Sequence, residues 1–158
     1  MHPNAELIHT FYTCFANRDG AGMAACYHPN IVFSDPVFTH LVGPQAGAMW
    51  QMLCARGHDL AVRHTNVEAN DTHGSAHWEA TYTFRTGRLV HNVIEATFDF
   101  QDGAIMRHTD AFDLWKWAGM ALGTKGKLLG WTPFVQSAIR NQAMQGLDAW
   151  TQKMQKAD

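Results

Sequence analysis

Residues 75–116, SAHWEATYTFRTGRLVHNVIEATFDFQDGAIMRHTDAFDLWK, decide the fold class. β-branched and aromatic residues alternate with polar ones over long runs, which is typical of half-buried strands. Thr86-Gly87 and Gln101-Asp102-Gly103 separate these runs and have the composition of turns. The pattern predicts strands over residues 75–85, 88–101 and 104–116. Because the turns are short, we expect the strands to form an antiparallel meander.

The chain before this meander has a helical period. Asn4 can cap a first helix, and Asp19 can cap a short second one. His28-Pro29-Asn30 is predicted to be a turn before a short apolar strand, and Gly43-Pro44 opens a third helix. A fourth long strand is predicted over residues 59–68. Helices followed by a curled antiparallel sheet define an α+β fold class.

The remainder, residues 117–158, is predicted to hold a short helical piece, a loop near residues 128–133 and a final helix. Apolar residues of the final helix recur at spacings of three and four, so one of its faces is apolar. That face either packs on the domain or covers a pocket or a partner subunit.

Composition excludes several classes of protein. The chain has 158 residues, 46% of them hydrophobic and 16% charged, with a net charge of −2. This is typical of one folded domain and not of a disordered or nucleic-acid-binding chain. Three cysteines without CxxC spacing argue against disulfides or structural zinc, and the ten histidines lack a metal-binding spacing. We expect no cofactor, no membrane span and a cytoplasmic location.

The strand pairing predicts which side chains share a face. A two-residue turn at Thr86-Gly87 pairs Glu79 with Ile94, and the next hairpin then pairs Ile94 with Asp110. A turn one residue longer or shorter would reverse a face. The predicted shared face contains His77, Glu79, Thr81, Asn92, Ile94, Ala96, Phe98, Met106, His108, Asp110 and Phe112. An apolar face with a few ionisable groups indicates a pocket wall.

The order of elements and the motif Phe33-Ser34-Asp35-Pro36-Val37-Phe38 resemble the nuclear transport factor 2-like (NTF2-like) superfamily. Its enzymes include ketosteroid isomerases, limonene-1,2-epoxide hydrolase, scytalone dehydratase and SnoaL-type polyketide cyclases. The resemblance covers residues 4–116. It implies a cone-shaped domain over residues 1–116, which residues 117–158 extend as a helical addition, and a homodimer formed through the sheet.

Two enzymes of the superfamily suggest site residues. Asp35 matches the base of the isomerases, and Tyr12 lies one position from the place of their tyrosine. His77-Trp78-Glu79 resembles the Arg-x-Asp segment of limonene-1,2-epoxide hydrolase, and Asp110 resembles its last-strand aspartate. Asp35 before Pro36 also fits a simple turn cap, and the histidines also fit structural roles.

These residues predict carboxylate acid–base catalysis on a small hydrophobic molecule. Asp110 is the expected base, and Glu79, oriented by His77, is the expected acid. Water or substrate is expected to be positioned by Asp35, His108 and Tyr12. The apolar lining is expected to come from Trp50, Phe98, Met106 and Phe112, with Asn92 on the same wall. The alternatives are a binding protein without turnover and a scaffold dimer whose last helix binds another protein.

Overall fold

A six-stranded sheet with helices on its concave side forms the molecule, and the computed structural model describes residues 1–157. The elements in chain order are α1 Pro3–Ala16, α2 Gly20–Ala25, β1 Tyr27–Ser34, β2 Leu41–Val42, α3 Pro44–Arg56, β3 Ala61–Ala69, β4 His73–Thr83, β5 Leu89–Gln101, β6 Ala104–Ala111, α4 Leu114–Leu122, α5 Thr124–Leu129 and α6 Pro133–Lys156. The strand order is β2-β1-β6-β5-β4-β3, with only β1 and β6 parallel. The predicted α+β class and curved sheet are confirmed.

The predicted register of the β4–β5 hairpin is wrong by one residue. Glu79 faces Val93 rather than Ile94. The reason is a three-residue turn, in which the Phe84 N–H donates to the Arg88 carbonyl at 2.8 Å and Gly87 adopts a φ of 83°. A glycine with positive φ after two turn residues is a common way to close a hairpin. The extra residue reverses the faces of β4, so Glu79 lies on the side of the sheet opposite Asp110.

The β5–β6 hairpin differs from its predicted register by two residues. Asp110 pairs with Ala96 instead of Ile94, because the turn is shorter than expected and Met106 forms a bulge between two paired positions. A shift of two residues preserves the face of every side chain. His108 and Asp110 are therefore buried on the concave side, as the sequence predicted.

Two predicted boundaries are also wrong. The strand expected over residues 104–116 ends at Ala111, because the Asp113 carboxylate accepts the Lys116 N–H at 3.0 Å and caps α4. The expected turn His28-Pro29-Asn30 lies inside β1. The pairing of β1 with β6 is irregular between Tyr27 and Val32, which accommodates a proline without a ladder hydrogen bond.

The core lies between the concave face of the sheet and helices α1 and α3. Aromatic side chains dominate it, and Trp50 contacts Phe15, Phe33 and Trp78 with ring centroids 5.1–6.2 Å apart. Burying such large side chains is the main source of stability for a domain of this size. This aromatic core closes one end of the concave space, and the polar side chains of the site lie at that end.

The close approach of α4 and α5 requires glycine at position 126. A Cβ added there would lie 1.9 Å from the Ala118 carbonyl oxygen. We expect Gly126→Ala to lower the free energy of unfolding by about 1–3 kcal/mol, because backbone must move. Gly146→Ala in α6 is the matched control, since its Cβ would meet no atom closer than 3.6 Å. Urea denaturation should show the control unchanged or slightly stabilised, and equal destabilisation of both variants would contradict the packing argument.

Candidate functional site

A cavity of about 680 Å³ opens between the concave face of the sheet, α3 and α6. Its wall is mostly apolar and includes Met49, Trp50, Leu53, Ala80, Ile94 and Ile139. Two carboxyl groups, of Asp35 and Asp110, are the acidic side chains that line it. A cavity of this size with few polar groups is typical of a small-molecule site.

The parallel pairing of β1 with β6 brings Asp35 beside Asp110. Ser34 pairs with Thr109, so the next residue of each strand is a neighbour of the other. The preceding inward pair, Phe33 and His108, has ring centroids 5.0 Å apart, which indicates that the two carboxyl groups share the concave face. The sheet topology therefore assembles two acidic groups at the inner end of the cavity.

A tight turn holds the Asp35 side chain. One of its carboxyl oxygens accepts the N–H groups of Val37 and Phe38 at 2.7 and 2.6 Å. Burial and, after it, the negative charge of Asp110 raise the pKa of Asp35 to about 7, although the two N–H donors partly oppose this shift. Asp35 therefore caps a turn, as the sequence allowed, and can also exchange a proton near neutral pH.

The Asp110 carboxylate is oriented by two ring N–H donors. Its Oδ1 accepts hydrogen bonds from Trp78 Nε1 at 3.2 Å and His108 Nε2 at 2.9 Å. Its Oδ2 has no hydrogen-bond partner among residues 1–157. Since Asp110 lines the cavity, one oxygen is held by the protein and the other is available to a ligand.

A buried hydrogen-bond chain determines which nitrogen of His108 carries the proton. Trp50 Nε1 donates to the Tyr27 hydroxyl at 2.7 Å, and this hydroxyl lies 2.8 Å from His108 Nδ1. An indole N–H can only donate, so the hydroxyl accepts from it and gives its own hydrogen to Nδ1. This arrangement places a ring hydrogen of His108 on Nε2, where it is directed at Asp110. Burial also raises the pKa of Tyr27 well above its usual range, so it remains a donor.

The structure brings some predicted site residues to the cavity and leaves others away from it. The predicted residues that line the cavity are Asp35, Trp50, Asn92, Asp110 and Phe112. His108 lies behind Asp110, and the Phe98 ring packs on it with a centroid distance of 4.5 Å. Tyr12 is fully buried, stacks on His64 and leaves its hydroxyl without a partner among the described residues. Met106 and Tyr12 do not line the cavity.

His77 and Glu79 belong to a separate polar cluster on the outer face of the sheet. The Glu79 carboxylate accepts hydrogen bonds from His77 at 3.0 Å, His91 at 2.8 Å and Arg63 at 3.0 Å. These donors, His77 foremost, lower the pKa of Glu79 to about 2, and Glu95 and Glu79 raise the pKa of His77. The predicted meeting of Glu79 with Asp110 in one cavity is therefore wrong.

Several residues that build the site were not predicted from the sequence. Because Trp78 lies between His77 and Glu79, the predicted register places it on the face opposite Asp110, which it in fact orients. Tyr27, which lies behind the cavity, has no predicted role. The signal was present in β4, where Ala76, Trp78 and Ala80 are more apolar than the residues between them. This alternation predicts the correct face for Trp78 when it is given more weight than the assumed two-residue turn. Three cations at the mouth, Arg56, Arg85 and Lys125, were also missed.

Sequence comparison identifies the family of this chain. A family model for the SnoaL-like domain matches residues 8–108, and the chain belongs to this family. No curated protein sequence matches the chain. Among residues 1–157, the helices are all too short or too polar to cross a membrane.

Solved structures share the NTF2-like fold at low sequence identity. A hypothetical protein from Catenulispora acidiphila with a ketosteroid isomerase-like fold, in complex with trimethylamine, has a TM-score of 0.66 and 12% identity over 81% of this chain and 98% of its own. An LEH-like epoxide hydrolase of M. tuberculosis has a TM-score of 0.62 and 14% identity over 81% and 96%. TerC, co-crystallised with polyporic acid, has a TM-score of 0.61 and 19% identity over 71% and 92%. The recognised superfamily is thereby confirmed.

Proposed function

We propose that this protein is an enzyme that uses Asp110 and Asp35 for acid–base catalysis on a small hydrophobic molecule. One observation carries the proposal: an apolar cavity ends at two neighbouring carboxyl groups in unlike environments. One oxygen of Asp110 accepts hydrogen bonds from Trp78 and His108 and the other is free, whereas burial raises the pKa of Asp35 to about 7. Two carboxyl groups whose environments separate their protonation states are suited to serve as base and acid.

Epoxide hydrolysis illustrates how the pair could work. Asp110 Oδ2 takes a proton from water while the water oxygen attacks a ring carbon. The carbon–oxygen bond of the epoxide breaks, and Asp35 gives its proton to the departing oxygen. In an isomerisation or cyclisation, the same base removes a proton from carbon and the acid stabilises the resulting oxygen anion. The apolar wall favours both reactions by excluding bulk water.

Binding without turnover is the second candidate function. The continuous apolar wall would hold a hydrophobic ligand whether or not the carboxyl groups react. Incubation with epoxides, enones and polyketide-like esters, followed by product analysis, separates the two functions. Product formation that depends on Asp110 supports the enzyme, whereas ligand binding with no product across these classes contradicts it.

The pH–rate profile gives a second test. Because the Asp35 pKa is raised to about 7, its acid form is present below pH 7 and is lost above it. We expect the rate to fall about tenfold per pH unit above pH 7. Asp35→Asn should be slow throughout and should lack this descending limb. A profile that stays flat from pH 6 to 9 in the native protein would contradict the role of Asp35 as acid.

Dimerisation and cellular location stay predictions. The outer face of the sheet, with the Glu79 cluster and the exposed Val93, is the surface through which we propose that a homodimer forms. A cytoplasmic location is likewise proposed on the sequence alone.

A further inference from the structure

The cavity has acidic side chains at its inner end and basic side chains at its mouth. The carboxyl groups of Asp35 and Asp110 lie at the inner end, and Arg56, Arg85 and Lys125 line the exposed mouth. The ion pairs of residues 1–157 involve none of these three cations, although Arg63 and Arg107 on the outer face are both paired. The net charge of the whole chain is −2, so the positive mouth is a local feature.

Two of the cations are held beside one helix. The Arg85 guanidinium donates to the Gln142 side chain, and the Arg56 guanidinium lies over the Trp150 ring at 5.9 Å and borders Gly146. Gln142 and Gly146 are one helical turn apart on α6, about 6 Å along its axis. The two planar cations therefore occupy the same side of the mouth, with N–H groups left for an anion.

The separation of the two ends limits the shape of a ligand that uses both. Trp78, which contacts Asp110, is five residues from Thr83 at the end of β4, which corresponds to roughly 17 Å, and Arg85 lies two residues further on in the turn. Trp50 and Arg56 are six residues apart on α3, or about 9 Å. The wall between the ends is apolar. A ligand that reaches both therefore has an elongated apolar body.

We propose that the cavity binds an elongated hydrophobic molecule that carries an anionic group, such as a carboxylate, which Arg56 and Arg85 hold at the mouth. The Asp110 carboxylate at the inner end repels an anion, so the ligand enters with its uncharged, reactive end first. The proposal rests on the proposed function, in that the same cavity is the ligand site. Beyond that function, it specifies the class of substrate and the orientation in which the substrate binds.

A matched pair of fluorescent probes tests the preference for an anion. 8-Anilinonaphthalene-1-sulfonate and N-phenyl-1-naphthylamine share one aromatic body and differ by the sulfonate. We expect the native protein to bind the sulfonate more tightly, and added salt to weaken only that probe. Arg56→Gln/Arg85→Gln should weaken sulfonate binding about fivefold and leave the neutral probe within twofold.

Two controls locate the effect. Arg107→Gln removes a positive charge from the outer face and should leave the binding of both probes unchanged. Ala143→Trp fills the mouth and should exclude both. Equal binding of the probes, or loss of the sulfonate preference in the Arg107 variant as well, overturns the anion proposal and leaves the cavity as a ligand site. Failure of the native protein to bind either probe, or binding of both that Ala143→Trp does not reduce, overturns the anion proposal together with the cavity as ligand site.

Discussion

Replacing Asp110 with asparagine is expected to lower the turnover number by about 10²–10⁴-fold, the usual contribution of a positioned general base. The amide keeps the shape of the side chain but cannot accept a proton from water or carbon. Its size also preserves the cavity wall, so KM should change little. Steady-state kinetics on any substrate found in the product screen provides the measurement.

Glu79→Gln is the matched control for this experiment. It makes the same chemical change on the outer face of the sheet, in a carboxylate that binds His77, His91 and Arg63. Its turnover should stay within about twofold of the native value. Full activity of the Asp110 variant, or equal losses in both variants, would leave the proposed base without support.

Replacing His108 with leucine should lower the free energy of unfolding by about 3 kcal/mol. His108 is fully buried and connects the Tyr27 hydroxyl to the Asp110 carboxylate at 2.8 and 2.9 Å. Leucine fills similar space but leaves both partners short of a hydrogen bond, and each unsatisfied buried group costs about 1–3 kcal/mol. Urea denaturation at pH 7 measures the change.

Two further variants identify the cause of that loss. His91→Leu removes an exposed histidine that also binds a carboxylate, and it should cost less than about 0.5 kcal/mol. The double variant His108→Leu/Asp110→Asn should lose less stability than the sum of its single changes, because the buried charge has gone with its donor. Strict additivity would show that the histidine matters only for packing.

Local sequence patterns predicted most of the elements. Period-two alternation located the long strands, and the helical period located α1, α2 and α3 within a few residues. Asp19 caps α2 as predicted, whereas α1 is capped by His2 and not by Asn4. The boundary at Ala111 was missed because Asp113 caps a helix that follows a strand directly. The alternation of apolar and polar residues continues through the short connection, so a boundary of this kind depends on a single side-chain hydrogen bond.

The candidate site was likewise predicted only in part. Asp35, Trp50 and Asp110 were predicted and line the cavity, whereas Glu79 was predicted and does not. The difference arises from one turn, where a third residue and a positive φ at Gly87 reversed the faces of β4. Because strand side chains alternate, one residue of error changes every contact of that strand.

By itself, the sequence determined the fold class, the strands and the buried character of Asp110 and His108, because these depend on hydrophobic pattern within short windows. Tertiary structure alone decided which carboxyl groups meet. Asp35 reaches Asp110 through a parallel pairing of strands that lie more than seventy residues apart, and the last helix brings Gln142 to Arg85 across the mouth. Such contacts depend on the register and placement of whole elements, which no local pattern encodes.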